Sequence, residues 1–447
     1  MKALTNLIPA LLLAASPAVA ESTVIINVNV IPMTSETVLS ARTVIVTDGE
    51  IVTIGDVDDT PVPDDAVVVD GTDRFLMPGL FEMHGHVPGL KSRDLDRVLH
   101  LFVANGITTV RGMLGQQSHL ELRSALQKGD RLGPRLYTSG PSLNGRSVTS
   151  HERAISMAEQ QHAAGYDFLK IHPGLTREEF DAMAATADRL GIRFAGHVPE
   201  DVGIRRALAA GIATIDHLDG YMESLLRPND DPSGGLSGFF GVFIADQADE
   251  TKIAEIAAAT AEAGVWNVPT DSLFRHATSS ESDPDDMVDW PEMKYMPADT
   301  VARWHRAKRD ILDDVNYKPD TAARAVALRQ QLILALHHSG AGLLLGSDSP
   351  QIFNVPGFAI HRELEYLVDA GLTPYEALQT GTTNPAEFFG RPGVLGVVKT
   401  GAVADLILLD ANPLDDITNT RRIHGVMVRG RWLPRSKLDG LLDRLAR

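Results

Sequence analysis

Six residues of this chain are of types that bind metal ions: His84, His86, Lys170, His197, His217 and Asp348. His84 and His86 lie in "FLMPGLFEMHGHV", Phe75 to Val87, an apolar stretch that reads as a strand. Strand residues two apart share a face, so the stretch presents two imidazoles side by side. Lys170 closes "DFLK" and is followed by Ile171 and His172. His197 lies in "RFAGHVP", His217 in "ATIDHLD" and Asp348 at the end of "GLLLGSD". A lone strand-end histidine is usually an ordinary hydrogen-bonded group. Four imidazoles and a carboxylate at corresponding places are a different matter, because imidazole and carboxylate suit borderline divalent metals.

Those corresponding places are strand ends. Short apolar segments alternate with longer amphipathic ones, the pattern of βα units with parallel strands. Eight strands are predicted: "LFEMHGH", "TTVRGML", "RLYTSGP", "DFLKIHP", "RFAGHVP", "ATIDHLD", "WNVPTDS" and "GLLLGSD". Between them, Thr176 with Glu179 and Thr373 with Glu376 have capping-box spacing, and "AEIAAATAEAG" ends a helix on Gly264. Eight units predict an α/β fold, a (β/α)8 TIM barrel, whose active site lies at the C-terminal strand ends. The flanks are richer in Val, Ile and Thr, and Asp48-Gly49 marks a hairpin turn. The expected layout is a β-sandwich from 21–76 plus 391–435, a barrel over 77–390 and a helical tail over 436–447. The segment from Tyr221 to Asp249 reads as a loop over the barrel mouth.

Lys170 is the odd member, since an ammonium repels metal ions. Two nearby cations lower its pKa and favour the neutral amine. A neutral amine can add carbon dioxide, and the resulting carbamate offers two anionic oxygens able to bridge two metals. The pattern therefore points to a binuclear centre.

With these motifs in this order, and with "GAVADLILLDANPLDDI" near the C-terminus, the chain resembles the amidohydrolase superfamily over essentially its whole length past residue 20. It is most similar to the secreted, prolidase-like group with a carbamylated lysine. The resemblance implies two divalent metal ions, Zn first, with Mn, Co or Fe also suited. His84 and His86 would bind the more buried one, and His197 and His217 the second. N6-carboxylated Lys170 would bridge them, and Asp348 would be both a ligand and the catalytic acid–base. The implied reaction is hydrolysis of an amide or peptide-like C–N bond, of dipeptide or N-acyl amino acid type, by a hydroxide bridging the metals. His172, Tyr221, His151, Arg275 and His276 are candidate substrate contacts. Asp216 and Asp219 read as exposed loop acids, because alternation turns Asp216 away from the face of His217. Arg111 reads as structural, since Gly112 and Met113 follow where relatives carry an acid.

A second reading is a mononuclear deaminase or cyclic amidine hydrolase. His197 and Glu200 have the H-x-x-E spacing that would serve it, but Lys170 argues against it. A non-catalytic binding protein is a third reading, disfavoured because no ligand position is lost.

Composition narrows the rest. The chain has 447 residues, 44% hydrophobic and 22% charged, and a formal charge of −18. An acidic chain without basic runs disfavours nucleic acid or anionic membrane as partner. A small-molecule amide or peptide substrate is expected, and a homo-oligomer is left open. "MKALTNLIPALLLAASPAVA" has the charge, apolar run and A-x-A ending of a bacterial secretory signal, so cleavage after Ala20 and a periplasmic or secreted protein are expected. With no cysteine, disulfides, thiolate ligands and a lipoprotein anchor are excluded.

Overall fold

The structure is a computed structural model that describes residues 22–227 and 237–447. The expected leader lies outside the described residues.

The chain opens with five strands, β1 (Ser22–Val30), β2 (Leu39–Thr47), β3 (Glu50–Asp56), β4 (Val67–Asp70) and β5 (Phe75–Pro78). Asp48 and Gly49 turn β2 into β3, both at positive φ (51° and 81°), as a two-residue hairpin turn requires. Seven short strands follow: β6 (Leu80–Gly85), β7 (Ile107–Gly112), β8 (Arg135–Thr138), β9 (Phe168–Ile171), β10 (Arg193–Gly196), β11 (Thr214–Asp216) and β12 (Trp266–Val268). The last three are β13 (Leu406–Leu409), β14 (Ile423–Val428) and β15 (Arg431–Pro434).

The two ends of the chain meet in one mixed sheet of eight strands, in the order β15-β14-β13-β5-β1-β2-β3, with β4 on β1. The join is antiparallel pairing of β13 with β5, Leu406 opposite Pro78 and Leu409 opposite Phe75. Ile25, Val44, Leu76, Leu406, Leu408 and Met427 form its apolar core. The terminal strands, expected to form the smaller domain, are thus joined in one hydrogen-bonded sheet. The helix Arg435–Leu445 follows β15.

The middle strands are parallel and form two sheets, β6-β7-β8 and β12-β11-β10-β9. Residues of β6, β7 and β9 are buried on both faces, which parallel strands covered by helices demand. Ser139, just past β8, bridges to Phe168 of β9. On the other side the segment 343–349 lies between β12 and β6. It is bonded through Leu344 N to Asn267 O and through Met83 N to Leu345 O, both at 2.8 Å. This segment is the expected eighth strand, and it forms isolated bridges instead of a regular ladder. The reason is local. The carboxylate of buried Glu82 takes the Ser347 N–H at 2.8 Å and the Ser347 hydroxyl, replacing strand partners.

The expected capping boxes form at Thr176 with Glu179 and at Thr373 with Glu376. The expected mouth loop begins as a helical turn, Tyr221–Ser224, and resumes with a 3-10 turn at Phe239–Gly241. Its centre lies outside the described residues.

Candidate metal centre

The six candidate ligands come from five places in the fold, His84 and His86 from the end of β6, Lys170 from β9, His197 and His217 from just past β10 and β11, and Asp348 from the segment 343–349, and the structure brings their side chains together. The ring of His84 stands 5.7 Å from that of His86 and 4.5 Å from that of His217. The His217 and His197 rings are 4.7 Å apart. Asp348 Oδ1 is 2.8 Å from His86 Nε2 and 3.5 Å from His84 Nε2. Single donor atoms of His84, His86 and Asp348 all lie within 4.8 Å of one another. Gly85, between the two histidines, packs against the core on the other side of the strand. A Cβ there would come within 3.0 Å of both Glu82 and Val110.

Backbone conformation explains how adjacent residues reach one site. His217, Leu218 and Asp348 have φ of 66°, 52° and 58°, in the left-handed region. Such residues are costly for side chains with a Cβ, and they cluster where function holds them. The left-handed turn breaks alternation at the end of β11, so Asp216 and His217 both face the cluster. This corrects the reading of Asp216 as an exposed acid. It is fully buried, with Oδ2 3.0 Å from His84 Nδ1 and 3.6 Å from Lys170 Nζ.

Asp219 is corrected in the same way. Its Oδ2 accepts from His197 Nδ1 at 2.9 Å and from the Val198 N–H at 3.2 Å. His217 Nδ1 is 2.9 Å from Thr270 Oγ1. Two of the four rings, His197 and His217, thus have Nδ1 hydrogen-bonded to an oxygen, and Asp216 Oδ2 stands close to Nδ1 of a third, His84; such partners fix ring orientation and leave Nε2 for a ligand bond.

Burial dominates the electrostatics. It holds His84 and His217 well below the ordinary imidazole range, so both rings are neutral, the form that binds metal. Burial also lowers the Lys170 amine, against the opposing pull of Asp216 and Asp348. Lys170 Nζ is fully buried and has no hydrogen-bond partner among the described residues. A buried amine left so is expensive, and a group that adds to it or binds beside it would relieve the cost. Neutral imidazoles, a carboxylate beside them and an unpartnered amine fit a divalent metal site.

Arg111 is the residue that sequence reasoning undervalued. It is fully buried on β7 and donates to Met83 O, to Thr214 Oγ1 at 3.1 Å and to Asp216 Oδ1 at 3.0 Å. The available signal was the one charged residue in an otherwise uncharged strand. Glu82 was also passed over. Burial pushes its carboxyl up to about 8, and it ties the His84 N–H to Ser347.

Of the expected substrate contacts, His172 alone stands beside the cluster, 4.9 Å from the His197 ring. Burial, then Lys170, push its pKa down to about 2. The others are corrected. The Tyr221 hydroxyl is buried against Thr260 and donates to Asn267 Oδ1 at 2.7 Å, because the turn at Leu218 and Gly220 sends it back toward the helix Ile253–Glu262. His151 is exposed and pairs with Glu152. Arg275 is held by Asp271 and stacks over Tyr366. His276 is buried edge-on to Trp290 and Tyr366.

A cavity of about 940 Å³ opens beside His197, walled by Val198, Val202, Ile204, Phe239 and Phe240 among others. The Phe240 ring lies flat against His217, 4.8 Å between centroids and 16° between planes. Glu200 is exposed on the cavity wall.

Residues 75–433 match the model of the amidohydrolase family. The chain belongs to that family. It is an enzyme, a hydrolase. Its sequence is 24% identical over 385 residues to the ochratoxinase of Aspergillus niger, covering 76% of this chain and 71% of that one. Among solved structures it resembles a bottromycin amidohydrolase, with a TM-score of 0.70 and 24% identity over 95% of this chain and 90% of the other. It also resembles a Xaa-Pro dipeptidase solved with methionine in its active site, with a TM-score of 0.65 and 20% identity over 93% of this chain and 100% of the other. These structural likenesses concern the fold.

Proposed function

We propose that this amidohydrolase is a binuclear metal-dependent enzyme that hydrolyses amide or peptide-like C–N bonds, of dipeptide or N-acyl amino acid type, after export to the periplasm or medium. Its two parallel sheets, joined by single bridges on both sides, are read as a (β/α)8 barrel, with 21–76 and 391–435 as the smaller domain. The carrying observation is the convergence of four imidazoles, the Asp348 carboxylate and the buried, unpartnered Lys170 amine. The words amidohydrolase and dipeptidase in the names of similar structures agree with the bond class.

In this reading His84, His86 and Asp348 would hold one ion, His197 and His217 the other, and Lys170, once carboxylated, would supply anionic oxygens to both. Zinc is the first candidate for both. Bound there, the ions would lower the pKa of water and polarise the scissile carbonyl. The protein's own part is proton traffic and orientation. Asp348 Oδ1 accepts the proton of the attacking water as the C–O bond forms. It then gives that proton to the leaving nitrogen as the C–N bond breaks, acting as base and then acid. Asp216, Asp219 and Thr270 hold the rings of His84, His197 and His217 in place. Phe240 covers the His217 face and limits water there.

The test is elemental analysis of the purified chain with a hydrolysis screen of dipeptides, N-acyl amino acids, lactones, cyclic imides and aromatic amides. Two metals per chain and turnover of an amide are expected. Lys170→Ala should lose metal and nearly all activity. Full activity of Lys170→Ala with one metal per chain would overturn the binuclear reading in favour of the mononuclear deaminase type.

A further inference from the structure

We infer that Arg329 is a positioning residue for His217, acting through the backbone; the inference rests on the reading of His217 as a metal ligand. Arg329 lies in the helix Pro319–Ser339, 112 residues from His217 in sequence, and is 1% exposed. Its guanidinium makes three hydrogen bonds of 2.7 Å. Nη1 donates to the backbone oxygen of His217, Nη2 to that of Pro269, and Nε to Asp271 Oδ1. The planar fork spans the ends of β11 and β12 at once, which a lysine could not do.

Both ends are unfavourable conformations. His217 and Leu218 are left-handed, and so is Thr270 (φ 49°), which follows Pro269. The conformation of His217 aims its carbonyl at Arg329 and its ring at the cluster. Thr270 is the residue whose hydroxyl meets His217 Nδ1. Arg329 therefore holds both the ligand and the residue that orients the ligand's ring.

The clamp is itself held. Asp271 Oδ2 accepts from Arg275 Nε at 2.9 Å. Glu363 takes the Asp271 N–H at 2.8 Å and the Ser272 N–H at 2.6 Å. The guanidinium carbon sits 4.3 Å over the Phe274 ring. Without Arg329, the buried carbonyls of His217 and Pro269 lose this donor, and one restraint on φ at His217 and Thr270 is removed. The His217 ring would then turn away from the cluster.

The experiment loads the full chain with zinc and measures stoichiometry and affinity by chelator competition. Wild type is compared with Arg329→Ala, Arg329→Lys and Lys308→Met. Lys308 is a buried cation outside the cluster and serves as control. Zinc affinity of one site in Arg329→Ala is expected to fall by roughly 10- to 100-fold, with the other site little changed. Guanidinium at sub-denaturing concentration should restore it by occupying the vacated space. Arg329→Lys should be intermediate, and Lys308→Met should match wild type. The visible spectrum of the cobalt-loaded chain should change in Arg329→Ala and recover with guanidinium.

Wild-type affinity in a folded Arg329→Ala overturns the inference, as does equal weakening of both sites without rescue. Should Arg329→Ala not fold, wild-type affinity in Arg329→Lys overturns it. A wild-type chain that binds no zinc sinks the metal-centre reading itself, so the two failures are told apart.

Discussion

Arg111 Nη2 donates to Asp216 Oδ1 at 3.0 Å, and both side chains are fully buried. The other oxygen of the same carboxylate faces His84 and Lys170. Burial alone would raise the Asp216 carboxyl, but Arg111 and then Lys170 hold it below its ordinary value. One carboxylate thus balances a guanidinium on one side and orients a candidate ligand on the other.

Removing Arg111 leaves that charge buried with its main partner gone. Arg111→Met should cost about 3–5 kcal/mol of stability, the usual penalty for breaking a buried pair. Urea unfolding at neutral pH measures it, and an unchanged midpoint would show that the pair contributes nothing.

Asp219 should matter for metal affinity more than for folding, since it lies near the cavity and engages His197 Nδ1. Asp219→Ala is expected to weaken zinc binding by about 10- to 100-fold, the common effect of losing a carboxylate behind a ligating histidine. Competition with a coloured chelator reads this directly. Equal affinity in the two proteins would remove Asp219 from the site.

Lys308 gives a pH signature away from the centre. Burial lowers its pKa from 10.5 to about 8, and its amine donates a weak hydrogen bond to the Met287 sulfur. Between pH 8 and 10.5 the folded chain therefore holds fewer protons than the unfolded one. Stability from this group rises with pH across that window. Lys308→Met should be more stable than wild type near pH 7, and the gap should narrow as pH climbs toward 10. A gap independent of pH would contradict the assignment.

Phe240 stacks on His217 and walls the cavity. For substrates with an aromatic group beside the scissile amide, Phe240→Ala should lower kcat/KM by up to about tenfold, the worth of one aromatic contact. Aliphatic amides should be less affected. Equal losses for both classes would mean that the ring only supports the histidines.

The leader is testable without the structure. Amino-terminal sequencing of the exported protein should begin at Glu21, and a start at Met1 would rule out cleavage.

Much of the candidate centre was legible because strand ends are local. Apolar runs, period-two alternation and turn residues mark where each parallel strand stops, so His84, Lys170, His197 and His217 could be placed without coordinates. The same rule failed at Asp216, where alternation predicts the wrong face. A left-handed residue reverses facing, and nothing in "ATIDHLD" announces that His217 adopts it. It also failed at the eighth segment, where the carboxylate of Glu82, 265 residues away in sequence, replaces ladder partners.

By itself the sequence determined the alternation of strands and helices, and the types and order of the candidate ligand residues, because these depend on neighbours a few residues apart. Only the tertiary structure decided which groups serve those ligands. Arg111 meets Asp216 across 105 residues, and Arg329 meets the His217 carbonyl across 112. Such contacts arise from packing of distant elements, where burial makes every unpaired donor or acceptor costly. Local spacing carries no record of them.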